Sequence, residues 1–361
     1  MSYPVMPIEH IADWEQRLAR QDAFWAGEII DRPVVTFSLW HKDAVHPWPA
    51  EKKFASHRER WMDIDHMVES ALAVTQNQIY CGDALPHFDP NLGPEVFSAF
   101  FGTELEYGEV TSWSIPNLQD WSEVDKIKFS EDNFYWKKIL EMTDALLEAG
   151  KGKFYTGITD LHPGGDAIVA FRDPLYLNMD MIEAVDEVKA LLPYITETYL
   201  KVIDFYYDKL TAAGQAITGW PGIVSTKKWY VPSNDFSCMI SPDMFDDIFL
   251  PGIAEECKHM EASIYHLDGP NALQHLDSLL AIPELNAIQW VYGEGNGRAS
   301  DWIDVYKKCQ AADKGLQISL GVDELDFFME NLRPEGLWIG LCGVENEEHG
   351  EAMLKKISEW K

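Results

Sequence analysis

His266 and Asp268 stand two apart in the run Ile264-Tyr265-His266-Leu267-Asp268-Gly269. On an extended strand both side chains point to one face, so the pair can share a metal ion or form a hydrogen-bonded acid/base couple. Cys342 ends another apolar run, Gly340-Leu341-Cys342-Gly343. Imidazole nitrogen, carboxylate oxygen and thiolate sulfur are all zinc donors, and three protein ligands with one open position is the arrangement of a catalytic site. The same residues also fit a hydrogen-bonded His–Asp pair beside an inert, packed cysteine.

Other polar residues sit where apolar runs end. Asp160 and His162 follow Phe154–Ile158 and precede Pro163, Gly164 and Gly165, so they read either as lining a site or as shaping a loop. Trp220 follows Gln215–Gly219, and Gln289 and Trp290 lie inside Ala287–Tyr292. These are substrate-binding candidates. Asp235 either orients a substrate or caps the helix that begins at Ser241. Trp40, Trp113, Trp220, Trp229, Tyr230 and Trp290 could line a pocket for a flat or methyl-bearing ligand, including a quaternary ammonium held by cation–π attraction, although most of the 14 Trp serve packing.

The elements that must position these residues alternate along the chain. Short β-rich runs occur at Val34–Trp40, Phe154–Ile158, Gln215–Gly219, Ser263–Leu267, Ala287–Tyr292, Leu316–Leu320 and Leu337–Leu341. Several are almost continuously apolar, as for strands covered on both faces. Between them the spacing predicts helices: one capped by Ser130 and stopping near Gly150, one or two over Met181–Ala213, and one entered through Ser241-Pro242. A further helix is bracketed by Ser300 and Gly315, and the last is framed by Asn346 and Lys355-Lys356. Repeated strand–helix alternation implies right-handed parallel crossovers. An open sheet would carry an early glycine fingerprint, and none is there. Gly293-Glu294-Gly295-Asn296-Gly297 has the wrong spacing and reads as a flexible loop or a substrate-contacting one. The expectation is an α/β fold, a single (β/α)8 TIM barrel spanning 1–361 with loop insertions and an N-terminal helical extension over about 1–30. The Pro-, Gly- and Asp-rich stretch between Cys81 and about Ser130 is expected to be an insertion near the barrel mouth. Function should then gather at the C-terminal ends of the strands.

Composition narrows the partners. There are 60 Asp+Glu against 29 Lys+Arg, a net charge of −31, which repels nucleic acid and anionic membranes. With 46% hydrophobic and 12% aromatic residues the chain can nevertheless bury a large core. The start carries acidic residues and no apolar stretch of a signal peptide, and no run of 18 apolar residues occurs. Five scattered cysteines without a C-x-x-C pair read as free thiols in a reducing compartment, so a cytoplasmic location is expected.

One resemblance joins these features. Asn234 to Phe245, with Asp235 before Ile240-Ser241-Pro242-Asp243-Met244-Phe245, resembles the uroporphyrinogen decarboxylase superfamily, and His266-Leu267-Asp268-Gly269 and Gly340–Gly343 follow in the matching order. The similarity runs from about Arg32 to the C-terminus and implies a (β/α)8 barrel. In the decarboxylases an arginine-bearing loop holds the substrate's carboxylates; here Arg32-Pro33-Val34 to Lys42 lacks the paired arginines. The second branch, the corrinoid-dependent methyltransferases, holds zinc through a His-x-Cys pair and a distant Cys. Carried over, His266 matches the histidine and Cys342 the distant cysteine, while Asp268 stands where that branch has its first cysteine and makes the site harder. The resemblance therefore implies a zinc site at His266, Asp268 and Cys342, with Asp235, His266 and Asp268 as catalytic residues. The implied activity moves a methyl group between a small substrate or thiol and a corrinoid (cobalamin) carried by a partner protein. A decarboxylase and a non-catalytic tetrapyrrole- or corrinoid-binding protein are the alternatives.

Overall fold

A computed structural model describes residues 3–360 of the chain. Among the described residues there are eleven strands: β1 (Val34–Trp40), β2 (Gln78–Gly82), β3 (His87–Phe88), β4 (Glu104–Tyr107), β5 (Ser112–Ile115), β6 (Tyr155–Thr156), β7 (Trp229–Tyr230), β8 (Ala262–Asp268), β9 (Ala287–Val291), β10 (Gly315–Gly321) and β11 (Leu337–Cys342). The main sheet has seven strands in the order β2-β1-β11-β10-β9-β8-β7. All its pairs are parallel except β1 with β2, which is antiparallel. The fold is thus α/β around a parallel sheet, as the alternation implied.

The ladder does not run on as a continuous ring among the described residues. Residues 154–158 and 215–219, expected as strands, are extended segments in which only β6 pairs, with β3, and Ile217 makes a single bridge to Ser225. Isolated bonds join them instead. The Ile158 N–H donates to the Thr218 carbonyl at 2.8 Å, the Thr156 N–H to Gln215 Oε1 at 2.8 Å, and the Trp229 indole to the Ile217 carbonyl at 3.0 Å. One backbone partner in this region, Thr156 N–H, is satisfied by a side chain, which removes a rung that a ladder would need. The segment between Cys81 and Ser130 carries structure of its own, including the β4–β5 hairpin and the short helix Val96–Ala99.

Helix ends mostly follow the local signals. Ser241 accepts from Met244 N–H, and Asn346 accepts from His349 N–H at 2.9 Å. The helix entered at Pro242 continues to His259 through a widened π turn at Phe245–Phe249, just before Pro251, which has no N–H for the regular ladder. One expectation is corrected. The helix Phe134–Ala149 is capped by Asn133, whose carbonyl oxygen takes both Tyr135 and Trp136 N–H groups, while the Ser130 hydroxyl accepts only from Asp132 in the turn before it. The helix expected between Ser300 and Gly315 is Ile303–Ala311, entered through a 3₁₀ turn at Ala299–Trp302 in which the Ser300 N–H donates to Glu324. The long helix Val185–Ala212 buries Ile195, Tyr199, Ile203, Tyr206 and Leu210 along one stripe at three- and four-residue spacing.

In the region of the expected N-terminal extension, helix Trp14–Phe24 is tied to the sheet. Its Arg20 joins Arg32 on Asp83, which is fully buried and also accepts from Val35 N–H. Both arginines near the first strand are therefore consumed by a carboxylate. No helix is long and apolar enough to cross a membrane among the described residues.

Candidate active site

His266, Gln289 and Gln317 lie at one level on β8, β9 and β10, since His266 pairs in register with Gln289 and Gln289 with Gln317. Their side chains form a relay. His266 Nδ1 meets Gln289 Oε1 at 2.5 Å, Gln289 Nε2 donates to Gln317 Oε1 at 2.7 Å, and Gln317 Nε2 donates to the Pro221 carbonyl at 2.8 Å. A carbonyl can only accept, so it orients the Gln317 amide, which orients Gln289, which requires a proton on His266 Nδ1. In the neutral ring this leaves a lone pair on Nε2. The Trp220 ring stands perpendicular to the imidazole with centroids 5.0 Å apart and fixes its plane.

His266 Nε2 lies 4.0 Å from Asp235 Oδ1. Asp235 opens the short 3₁₀ turn Asp235–Met239, and it does not cap the Ser241 helix, whose cap is Ser241 itself. Its position is set by Asp166 on helix Gly164–Arg172, whose carboxylate accepts the N–H groups of Asp235 at 3.0 Å and Phe236 at 2.9 Å. Asp235 Oδ1 is buried with no hydrogen-bond partner. Burial, then the Asp166 charge, pushes the Asp235 pKa up to about 6, against the pull of His162 and His266.

His162 lies 3.1 Å from Asp160 and 3.7 Å from Asp166. Burial opposes the charged imidazole, but the two carboxylates outweigh it and hold the His162 pKa well above its ordinary value. Farther in, burial and then the Asp160 charge push Asp89 up to about 7. The donor atoms of Asp235, His266 and Asp268 lie within 4.8 Å of one another, and so do those of His162, Asp166 and Asp235. Asp235 belongs to both groups.

The structure therefore joins His266 and Asp268 with Asp235 and leaves Cys342 in neither group. Cys342 is exposed at the end of β11, with β10 and β9 between it and β8. At about 4.8 Å per strand, three steps put it roughly 14 Å along the sheet from β8. For a bound cation the set Asp235–His266–Asp268 fits: a free imidazole lone pair and a buried, unpartnered carboxylate oxygen are the donors that a borderline or hard ion takes.

Trp220, Gln289 and Trp290 line one cavity of about 700 Å³, together with Gln317, Ser319, Trp338 and the Gly293–Gly297 loop. The loop thus contacts the cavity. His162, Asp166, Asp235 and Glu95 border a second cavity of about 300 Å³, and Asp160 stands 3.1 Å from His162 without lining either cavity. Of the remaining aromatic candidates, Trp229 and Tyr230 are fully buried, and Trp40 and Trp113 stand exposed away from the cavity lining. Sequence reasoning missed Gln317 and Asp166. Gln317 carried the signal that marked Gln289, a polar side chain inside the apolar run Leu316–Leu320; Asp166 carried none beyond following two glycines.

No protein-family model matches this chain, and no curated protein matches it. Among solved structures, a methyltransferase from Methanosarcina mazei superposes on 95% of this chain and 98% of its own, with a TM-score of 0.60 and 14% sequence identity. At that identity the likeness establishes the fold: this chain is built as that methyltransferase is built.

Proposed function

We propose that the protein is a methyltransferase that moves a methyl group between a small substrate or thiol and a corrinoid carried by a partner protein, on a (β/α)8 barrel whose ladder is interrupted at residues 154–158 and 215–219. The fold shared with a methyltransferase supports the class. The observation that carries the site is the pair of unpartnered donor atoms, His266 Nε2 with its proton held on Nδ1 and Asp235 Oδ1. Asp235, His266 and Asp268 would hold a zinc ion, which supplies a Lewis acid beside the larger cavity. The corrinoid would supply the metal centre that exchanges the methyl group.

The chain's own groups have separable tasks. Gln289 and Gln317 keep the His266 lone pair directed at the ligand position; Asp166 holds the loop that presents Asp235; and Trp220 limits rotation of the imidazole. A carboxylate-rich substrate is disfavoured, because Arg20 and Arg32 are both committed to Asp83 and no Lys or Arg borders the larger cavity. The test is metal analysis of the purified protein combined with the visible spectrum of methylcobalamin mixed with enzyme and candidate acceptors. One equivalent of zinc and a demethylation of the corrinoid that His266→Ala abolishes are expected. Cobalamin binding with no methyl transfer under any acceptor would instead establish a binding protein.

A further inference from the structure

The second donor group, His162, Asp166 and Asp235, borders the smaller cavity and shares only Asp235 with the set around His266. His162 Nδ1 stands 3.7 Å from Asp166 Oδ2. That is too long for a hydrogen bond, yet it falls within the roughly 3–4.2 Å that separates two donors around one octahedral ion with bonds of about 2.1 Å. On the other side of the ring, Nε2 lies 3.1 Å from Asp160 Oδ1, the place of the carboxylate that backs a metal-bound imidazole. Each Asp166 oxygen accepts one backbone N–H, from Asp235 or Phe236, which fixes the carboxylate and leaves it lone pairs to bind further. Glu95 adds a third carboxylate to the cavity wall, and no Lys or Arg borders it.

A separate observation comes from Asn234, which is only 3% exposed and has no partner for either its Oδ1 or its Nδ2. It precedes Asp235 in the chain, and its amide lies against Gly165, the neighbour of Asp166, so closely that a Cβ there would stand 2.6 Å from Oδ1. Asp235 Oδ1 is likewise buried and unpartnered. An imidazolium between Asp160 and Asp166 accounts for His162 alone. It leaves Asn234 and Asp235 unanswered and sets one positive charge among the carboxylates of Asp160, Asp166, Asp235 and Glu95. We propose that His162, Asp166 and Asp235, with Glu95, form a second cation site for a harder divalent ion, Mn²⁺ or Mg²⁺. One imidazole among several carboxylates is the donor mix such ions take, and the waters they retain are the partners that the Asn234 amide lacks. Asp235, whose Oδ1 is 4.0 Å from His266 Nε2, bridges the two metal positions, as a carboxylate does in paired metal sites. The site goes beyond the methyl-transfer reading and does not depend on it.

Mn²⁺ is the probe, titrated into the full-length protein carrying one equivalent of zinc. Electron paramagnetic resonance reads the bound ion, and mass spectrometry after gel filtration counts both metals. One equivalent of Mn²⁺ is expected to bind while the zinc stays in place. His162→Gln should weaken Mn²⁺ at least about tenfold and leave the zinc. Glu95→Gln, which keeps an acceptor for the Ser114 N–H and so spares the fold, should weaken Mn²⁺ about three- to tenfold. His266→Ala should release the zinc and keep the Mn²⁺, whereas Asp235→Ala should weaken both. No retained Mn²⁺, or Mn²⁺ binding that both His162→Gln and Glu95→Gln leave intact, would overturn the proposal. So would Mn²⁺ that enters only by displacing zinc and is lost with His266→Ala. Mn²⁺ held at His162 in a protein that retains no zinc would overturn the zinc assignment and leave this one standing; zinc held at His266 without any Mn²⁺ would do the reverse.

Discussion

The Gln317 amide donates to the Pro221 carbonyl at 2.8 Å, and this one bond decides where the proton sits on a histidine two side chains away. Because the carbonyl can only accept, the direction of every later bond in the chain Gln317–Gln289–His266 is fixed. Replacing Gln317 with Met keeps the volume and removes the relay. The ¹⁵N spectrum of His266 should then show loss of the pure Nδ1–H form, and zinc affinity should fall about 10- to 100-fold. The buried Pro221 carbonyl would lose its donor, at about 1–3 kcal/mol of stability. An unchanged imidazole spectrum would refute the relay.

Metal stoichiometry separates the ligand set brought together here from the one expected by resemblance. His266→Ala, Asp235→Ala and Asp268→Ala should each lower bound zinc severalfold or more, measured by mass spectrometry after dialysis. Cys342→Ser should leave it unchanged, since Cys342 is in neither donor group. Loss of zinc from the Cys342 variant would reinstate the thiolate site.

Asp166 acts on Asp235 through the backbone. Asp166→Ala removes the acceptor for two N–H groups, so the 3₁₀ turn should loosen, with a loss of about 1–3 kcal/mol in thermal or urea unfolding. Zinc affinity should fall with it. Asp166→Asn keeps one acceptor oxygen and should recover part of both; hydrogen exchange at Asp235 and Phe236 reads the effect directly.

Asp89 supplies a pH dependence. Its folded pKa, about 7, lies above its ordinary 3.8, so the folded state binds the proton more tightly than the unfolded chain does. The favourable contribution is present at low pH and is lost as pH rises from about 4 through about 7. Asp89→Asn should abolish this dependence and stabilise the protein at pH 8 by on the order of 2 kcal/mol. Denaturant midpoints for the two proteins at pH 5 and pH 8 provide the check; an equal change at both would contradict the assignment.

Much of the frame was readable along the chain because it is encoded locally. β1 has the bounds that its apolar run implied, and β8 to β11 fall within a residue or two of theirs. The caps at Ser241 and Asn346 follow from side chains that reach N–H groups three residues away. That His266 and Asp268 share a face follows from the two-residue period of a strand. Residues 154–158 and 215–219 had the same apolar character but do not form full ladders, since pairing depends on what lies alongside rather than on the run itself.

What tertiary structure alone decided is which strand ends meet. The sequence offered His266, Asp268, Cys342 and Asp235 as separate donors. Strand order put Cys342 three strands from His266, while a salt-bridging helix residue with no motif, Asp166, folded the Asp235 loop back to within 4.0 Å of the imidazole. The tautomer of His266 was decided the same way, by amides on two neighbouring strands and a carbonyl 45 residues upstream, contacts that no local pattern of residue types encodes.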